Sequence, residues 1–158
     1  MTVEQYHAAL ECKLRGTCNL HHISIEVASN LVFFTLLSSI GGIYGNPGQG
    51  DYAAGNAFLD AFASYRQSLG LAACSVDLGV VEDVGYMMEY DDLQSRYDST
   101  IWHGIDERLL RKIFAFSIQQ QHTPPIDIQS ASQIITGIRL PQPEDSPLLR
   151  DANLQACV

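Results

Sequence analysis

Residues Leu31–Tyr65 read LVFFTLLSSIGGIYGNPGQGDYAAGNAFLDAFASY, and this stretch decides the fold. Its opening apolar run, Leu31–Leu37, has the length of one buried strand and is too short to cross a bilayer. A polar, glycine-rich loop follows, and then a helical pattern opened by Asp51. Tyr52 and Asn56 stand one turn apart on that helix, within roughly 40° of each other at about 100° per residue. Hydroxyls and an amide thereby gather at the carboxyl end of a strand, where ligands bind in open α/β sheets. The helix is expected from about Asp51 to Leu69, with Phe58, Phe62, Tyr65 and Leu69 as its buried stripe. Gly70 stops it, and Leu71–Leu78 (LAACSVDL) reads as a second buried strand closed by Gly79. Strand, helix and strand with so short a turn form a βαβ unit, so the sheet is expected to be parallel.

Outward from this core the pattern stays that of one α/β domain. Thr2-Val3-Glu4-Gln5 has the form of a capping box, and Val3, Tyr6, Leu10, Leu14 and Thr17 keep helical spacing behind it. Residues 3–22 are expected to hold one long helix or two short ones, with Gly16 as the candidate break. Residues 80–105, with Gly85, Met87, Met88 and Trp102, lack clear periodicity and have the length of a lid or binding loop. Asp106–Gln119 reads as a helix through Leu109, Leu110, Ile113, Phe114 and Ile118. Ile134–Leu140 reads as a last strand, and Pro141–Val158 as a linker or tail.

The chain has 158 residues, 46% hydrophobic and 17% charged, which suits one globular domain with a real core. A net charge of −9 argues against nucleic acid, because phosphate binding needs clustered Lys and Arg. No basic run suggests an anionic membrane surface. The four cysteines (Cys12, Cys18, Cys74, Cys157) form no CxxC or Cys/His pair at ligand spacing, and the five histidines show no metal spacing. Reduced thiols in a cytosolic protein are expected, and the amino terminus has no apolar region of a signal peptide. Arg108, Arg111 and Lys112 form a small basic cluster, which reads as a solvated helix face or as a meeting place for an acidic domain.

A tyrosine serves as a general acid only when a nearby cation eases loss of its proton. Lys13, on the first helix, is the obvious candidate. Ser39 stands thirteen positions before Tyr52, at the strand's end, where its hydroxyl can hold a carbonyl oxygen. Asn56 can orient a water or the lysine. Together these groups can donate a proton to an alkoxide as hydride arrives at the carbonyl carbon. Each residue alone has a plainer explanation: a packed aromatic with a wet hydroxyl, a loop serine, a solvated lysine, an amide bonded to a loop. Gly48-Gln49-Gly50-Asp51-Tyr52-Ala53 also matches G-x-G-x-x-A, formally a dinucleotide fingerprint. The first glycine of that motif should follow its strand directly, however, and here Ser38–Pro47 intervene.

Ser39, Tyr52 and Asn56, with the words LLSSIGGIYGNPGQGDYAAGNAFLDAFA, resemble the ketoreductase domain of type I polyketide synthases, a branch of the short-chain dehydrogenase/reductases. ALECKLRGTCNLH is similar to the segment bearing that family's active-site lysine, and SVDLGVVEDVGYM to the strand and loop beside its nicotinamide and substrate. QIITGIRLP and DSPLLRD are similar to what closes the domain in fungal highly reducing synthases. The resemblance implies a partial Rossmann-like parallel sheet with flanking helices, the amino-terminal cofactor-binding βαβ units and their glycine-rich turn lying outside this chain. Residues 1–140 would be the catalytic half, and 141–158 a linker toward a following carrier domain.

By the same resemblance Tyr52 is the proton donor and Ser39 orients the β-keto oxygen. Lys13 assists the phenol and contacts the cofactor ribose, and Asn56 completes the tetrad. Lys13, Tyr52, Asp77 and Gly79 would line NADPH. Most short-chain dehydrogenases carry the lysine four positions after the tyrosine; Asn56 occupies that place here, the swapped order typical of synthase ketoreductases. Tyr44 stands eight positions before the tyrosine, where one bacterial type has Trp. The implied reaction reduces a 3-oxoacyl chain on an acyl carrier protein to the 3-hydroxyacyl form. The implied partners are the rest of the synthase polypeptide and, through it, a homodimer; the implied location is cytoplasmic. A rival reading is a non-catalytic structural or docking remnant that keeps the tetrad and does not bind NADPH alone.

Overall fold

The first helix, α1 (Val3–Val27), starts where its capping box places it. Thr2 N–H donates to Gln5 Oε1 at 2.8 Å, and Gln5 N–H donates back to Thr2 Oγ1 at 3.3 Å. The computed structural model describes residues 2–27, 31–45, 47–82, 98–121, 132–151 and 154. Gly85, Met87, Met88, His122 and Cys157 lie outside them. α1 runs through Gly16 without the expected break. Glycine costs a helix about 1 kcal/mol, and packing of α1 along the next long helix outweighs it.

The strand β1 is Thr35–Ser39, not Leu31–Leu37. A ladder needs partners, and those begin only where Cys74 N–H donates to Phe34 O at 3.0 Å. Leu31, Val32 and Phe33 precede the strand and are exposed. A four-residue helix, α2 (Gly41–Tyr44), then fills part of the expected loop. Gly45 and Gly48 turn the chain at φ +73° and +81°, a region that favours glycine.

The helix α3 (Gly50–Ser68) buries Gly55, Asn56, Leu59, Ala63 and Arg66. The expected stripe is therefore rotated: Phe58 and Phe62 pack at the margin, while Tyr65 and Leu69 are exposed. Arg66 explains much of this rotation. Its guanidinium lies 3.9 Å from the Phe34 ring centroid and donates to Ala72 O, Ser24 Oγ and His21 Nδ1. Those bonds, made to neutral groups, let a cation be buried on the face where aromatics were expected. Gly70, at φ +72°, ends the segment.

β2 (Cys74–Leu78) and β3 (Gln133–Ile135) complete a parallel sheet of order β1-β2-β3. The register pairs Leu36 with Ser75, Ser38 with Asp77, and Ser75 with Gln133. Leu36, Ser38, Ser75, Asp77 and Gln133 thus share the face under α3. Cys74 and Val76 face the helix α4 (Glu107–Gln120), whose N-cap Asp106 accepts from Leu109 N–H at 2.6 Å. Two apolar clusters sandwich the sheet: Leu36, Leu59, Ala63 and Ala73 on the α3 side, and Cys74, Val76, Ile105 and Ile113 on the α4 side.

Within residues 80–105, Val81 bridges Ile105, and Trp102 bridges Ile138. β3 is shorter than Ile134–Leu140 because Gly137, at φ +79°, turns the chain against Gly79. In the segment after Leu140, Ser146 caps a 3-10 turn (Pro147–Arg150), and Leu148 and Leu154 are fully buried. The architecture is the expected one, an α/β parallel sheet with flanking helices. Among the described residues no helix is long and apolar enough to cross a membrane.

Candidate active site

α1 and α3 cross where Gly55 leaves room. A Cβ there would stand 3.0 Å from Lys13 Cδ and 3.7 Å from Lys13 Cβ, so the lysine stem runs over the glycine. The Lys13 ammonium thereby reaches Leu37 O at 3.2 Å and lies 5.8 Å from the Tyr52 ring centroid. That distance is within cation–π reach. Tyr52 occupies the first turn of α3 and is 44% exposed, with its ring on the solvent side of the crossing.

Asn56 lies one turn on and is fully buried. Its Nδ2 donates to Tyr52 O at 2.8 Å, and its own carbonyl accepts from Ser38 Oγ at 3.2 Å. Its Oδ1 is a buried acceptor with no protein partner. Ser39, at the end of β1, accepts from Gly41 N–H at 3.2 Å. The structure thus joins Lys13, Tyr52 and Asn56 in one cluster, with Ser39 bonded into the adjoining turn. Among the described residues no hydrogen bond links Ser39 to Tyr52 or Lys13.

Two further residues were expected at the cofactor, and their side chains do other work. Asp77 has a carboxyl buried between sheet and helix, where Oδ2 accepts from Gln133 Nε2 at 2.7 Å. That side chain is walled off from solvent. Gly79 packs Cα to backbone against Gly137: an added Cβ would meet Gly137 Cα at 2.6 Å. Its N–H donates to Thr136 Oγ1. The decoy fingerprint also fails by position, because Ile40 and α2 separate β1 from Gly48. The basic cluster is partly neutralised, since Arg111 pairs with Glu107 on the exposed face of α4.

Sequence reasoning missed Asp60. It lies one turn beyond Asn56 and accepts from Ser75 Oγ at 2.5 Å. Burial raises its pKa, against which Ser75, Ser38, Asp77 and the charge of Lys13 all pull downward. Asp77 is pushed up to about 7, by burial first and then by the charge of Asp60. The signal was present in the spacing: Tyr52, Asn56 and Asp60 recur every four residues on one helix face. Among the described residues no cluster of side chains suits a metal ion.

Comparison with known proteins follows the same lines. The KR-domain family model matches residues 1–83. A highly reducing polyketide synthase of Eupenicillium brefeldianum is 54% identical over 152 residues, covering 96% of this chain and 6% of that protein. The highly reducing polyketide synthase apmlA of Arthrinium phaeospermum is 50% identical over 159 residues, covering 99% and 6%. The chain therefore spans about 6% of the length of these curated relatives. Among solved structures, an A1-type ketoreductase superposes with TM-score 0.72 at 27% identity, covering 87% of this chain and 26% of that one. The first ketoreductase of the tylosin polyketide synthase gives TM-score 0.67 at 26% identity, covering 87% and 28%. With the family match running through the helix crossing that carries Lys13, Tyr52 and Asn56, the chain belongs to the ketoreductase (KR) domain family of polyketide synthases.

Proposed function

We propose that this chain is the catalytic segment of an NADPH-dependent β-ketoacyl reductase within a polyketide synthase, reducing a 3-oxoacyl chain on an acyl carrier protein to the 3-hydroxyacyl form. The observation that carries the reading is the ammonium of Lys13 held 5.8 Å from the ring of a half-exposed Tyr52. A cation there favours the phenolate left behind when Tyr52 gives up its proton. Ser39 stands at the strand end, where a hydroxyl can orient the ketone oxygen toward that phenol. Asn56 keeps the first turn of α3 in place through Tyr52 O, and its free Oδ1 can accept from the lysine.

These residues fit the nicotinamide end of the cofactor. Lys13 and Tyr52 would hold its ribose, and NADPH when bound supplies the hydride. Asp77 would contribute a wall through its strand and not through its carboxyl, which is buried. The reading also needs the remainder of the synthase. β1 is at the sheet edge, and among the described residues no strand pairs with its outer side. Phe34 O and Ile40 N–H bond toward β2, so the alternate backbone groups of Thr35, Leu37 and Ser39 point outward. An exposed parallel edge of this kind is a template for another strand. The segment beyond residue 140, anchored by Leu148, leads on this reading toward a carrier domain.

The test is Tyr52→Phe in the full-length synthase. The expected result is loss of 3-hydroxy product while saturable NADPH binding persists. Undiminished reduction by the variant would overturn the assignment. Saturable NADPH binding by the isolated chain distinguishes an autonomous half-site from a remnant that depends on its neighbours.

A further inference from the structure

The layer between α3 and the sheet is polar where an apolar one is the rule. Asn56, Ser75 and Asp77 are fully buried there, Ser38 and Ser132 nearly so. Asp60 descends from α3 and Asp77 rises from β2, and their carboxyls hydrogen-bond each other. Each also has a neutral partner on the sheet: Ser75 Oγ donates to Asp60 Oδ1, and Gln133 Nε2 donates to Asp77 Oδ2. Asp77 Oδ1 has no other hydrogen-bond partner assigned to it as an acceptor.

We propose that Asp60 and Asp77 hold one proton between them and act as a positioning pair, clamping the Tyr52–Asn56 face of α3 onto the sheet. Two carboxylates in hydrogen-bond contact inside a water-excluding layer cannot both carry charge. A single proton resolves the conflict and creates a short, charge-assisted O–H···O⁻ bond. Asp77 is the deeper group and keeps the proton, while Asp60 carries the charge, facing Lys13 of α1. The other titratable neighbour, Cys74, lies on the opposite sheet face as a neutral thiol, its pKa pushed up to about 12 by burial. β3 contributes only the neutral Gln133. Asp60 follows Asn56 by one turn, and Ser38 bonds the Asn56 carbonyl beside Asp77. The clamp therefore acts on the turn that carries the candidate catalytic amide. Its bearing on turnover rests on the reading above; the shared proton does not.

The sign of the pH dependence follows. Folded Asp77 keeps its proton to about 7, whereas an unfolded aspartate releases it near 3.8. The folded chain binds the extra proton between those values, so stability falls as pH rises through the window and levels off above it. The experiment follows carboxyl carbons by 13C NMR on Asp-labelled chain, together with urea unfolding across the same pH range. The expected result is one aspartate titrating near neutrality, absent in Asp77→Asn, with the falling limb of stability flattened. Asp60→Asn removes the neighbouring charge, so in that variant the late titration moves down by more than one pH unit. In the full-length synthase, Asp77→Val should lower kcat on the order of tenfold by removing the donor. Asp77→Asn should rescue it and extend activity to higher pH. A wild-type chain whose aspartates all titrate in the ordinary range overturns the proposal. So do variants that keep a late titration at its wild-type position.

Discussion

Gly42→Ala and Gly55→Ala are the same chemical change at two crossings of α3, and the structure assigns them different outcomes. At Gly42 an added Cβ would stand 2.7 Å from Asn56 Cβ, 3.1 Å from Ala57 N and 3.3 Å from Asn56 C. Two of these atoms are helix backbone and cannot swing aside, so α2 or α3 must retreat by most of an ångström. Overpacking of this kind costs about 1–3 kcal/mol. Replacing glycine returns roughly 0.4–1 kcal/mol by restricting the unfolded chain. The net expectation is a loss of about 1–2 kcal/mol, or roughly 3–6 °C in Tm for a chain of this size. At Gly55 the nearest atoms are Lys13 Cδ at 3.0 Å and Leu10 Cδ2 at 3.4 Å, both ends of flexible side chains. Alanine gains up to about 1 kcal/mol of helix propensity there. Stability should hold or rise, while the lysine stem is pushed off its path over the helix and turnover falls. Urea and thermal unfolding of both variants, with reduction measured in the full-length synthase, check the pair. A Gly42→Ala chain as stable as wild type, or a Gly55→Ala chain less stable than Gly42→Ala, refutes the steric reasoning.

Two further outcomes come from the helix ends and from the α1–α3 contact. Burial, and after it the charge of Arg66, lowers the pKa of His21, whose Nδ1 accepts from the Arg66 guanidinium. The stabilising neutral form is fully populated above the ordinary histidine value of about 6.5 and is lost as pH falls. Urea midpoints should therefore drop from pH 7.5 to 5.5, and His21→Gln should lessen that drop; an equal drop in the variant counts against the account. At the start of α4, Asp106→Ala removes the cap on Leu109 N–H and should cost about 1 kcal/mol, with Asp106→Asn retaining most of it. Indistinguishable urea midpoints for the alanine variant would show the cap to be idle.

Local rules carried a large part of this fold. The Thr2–Gln5 box, the helix stop at Gly70 and the N-cap at Asp106 depend on neighbours within a few residues, and each is legible as written. The parallel sheet followed from the short turn between α3 and β2. Where partners are distant, the reading slipped. Apolarity alone placed a strand at Leu31–Leu37, but strand limits follow the ladder, which runs through Ser38 and Ser39 to Leu78. The same counting of apolar residues assigned the buried face of α3 to Tyr65 and Leu69. It passed over Arg66, which is buried because Phe34, His21, Ser24 and Ala72 await it. At the site, the tyrosine–asparagine spacing was readable, and the meeting of Lys13 with Tyr52 depended on a crossing at Gly55 that no local pattern shows. Asp60 was hidden for the reason Arg66 was: its justification lies on other elements.

The polar layer under α3 bears on how a small site keeps its geometry. Hydrophobic burial is non-directional, so an apolar interface resists separation and tolerates sliding. Hydrogen bonds weaken steeply with angle and distance, so a bonded interface resists sliding as well. α3 uses both. Leu59 and Ala63 supply contact with Leu36 and Ala73, while Asn56, Asp60 and Ser64 tie successive turns to Ser38, Ser75, Asp77 and Ser132. These ties recur at the four-residue interval that begins with Tyr52, so a slip of α3 along the sheet would break them together. The phenol is thus held in register with β1, whose Leu37 carbonyl anchors the Lys13 ammonium. One consequence is that the depth of Asp77, costly to a carboxylate by itself, serves the placement of a tyrosine that it never touches.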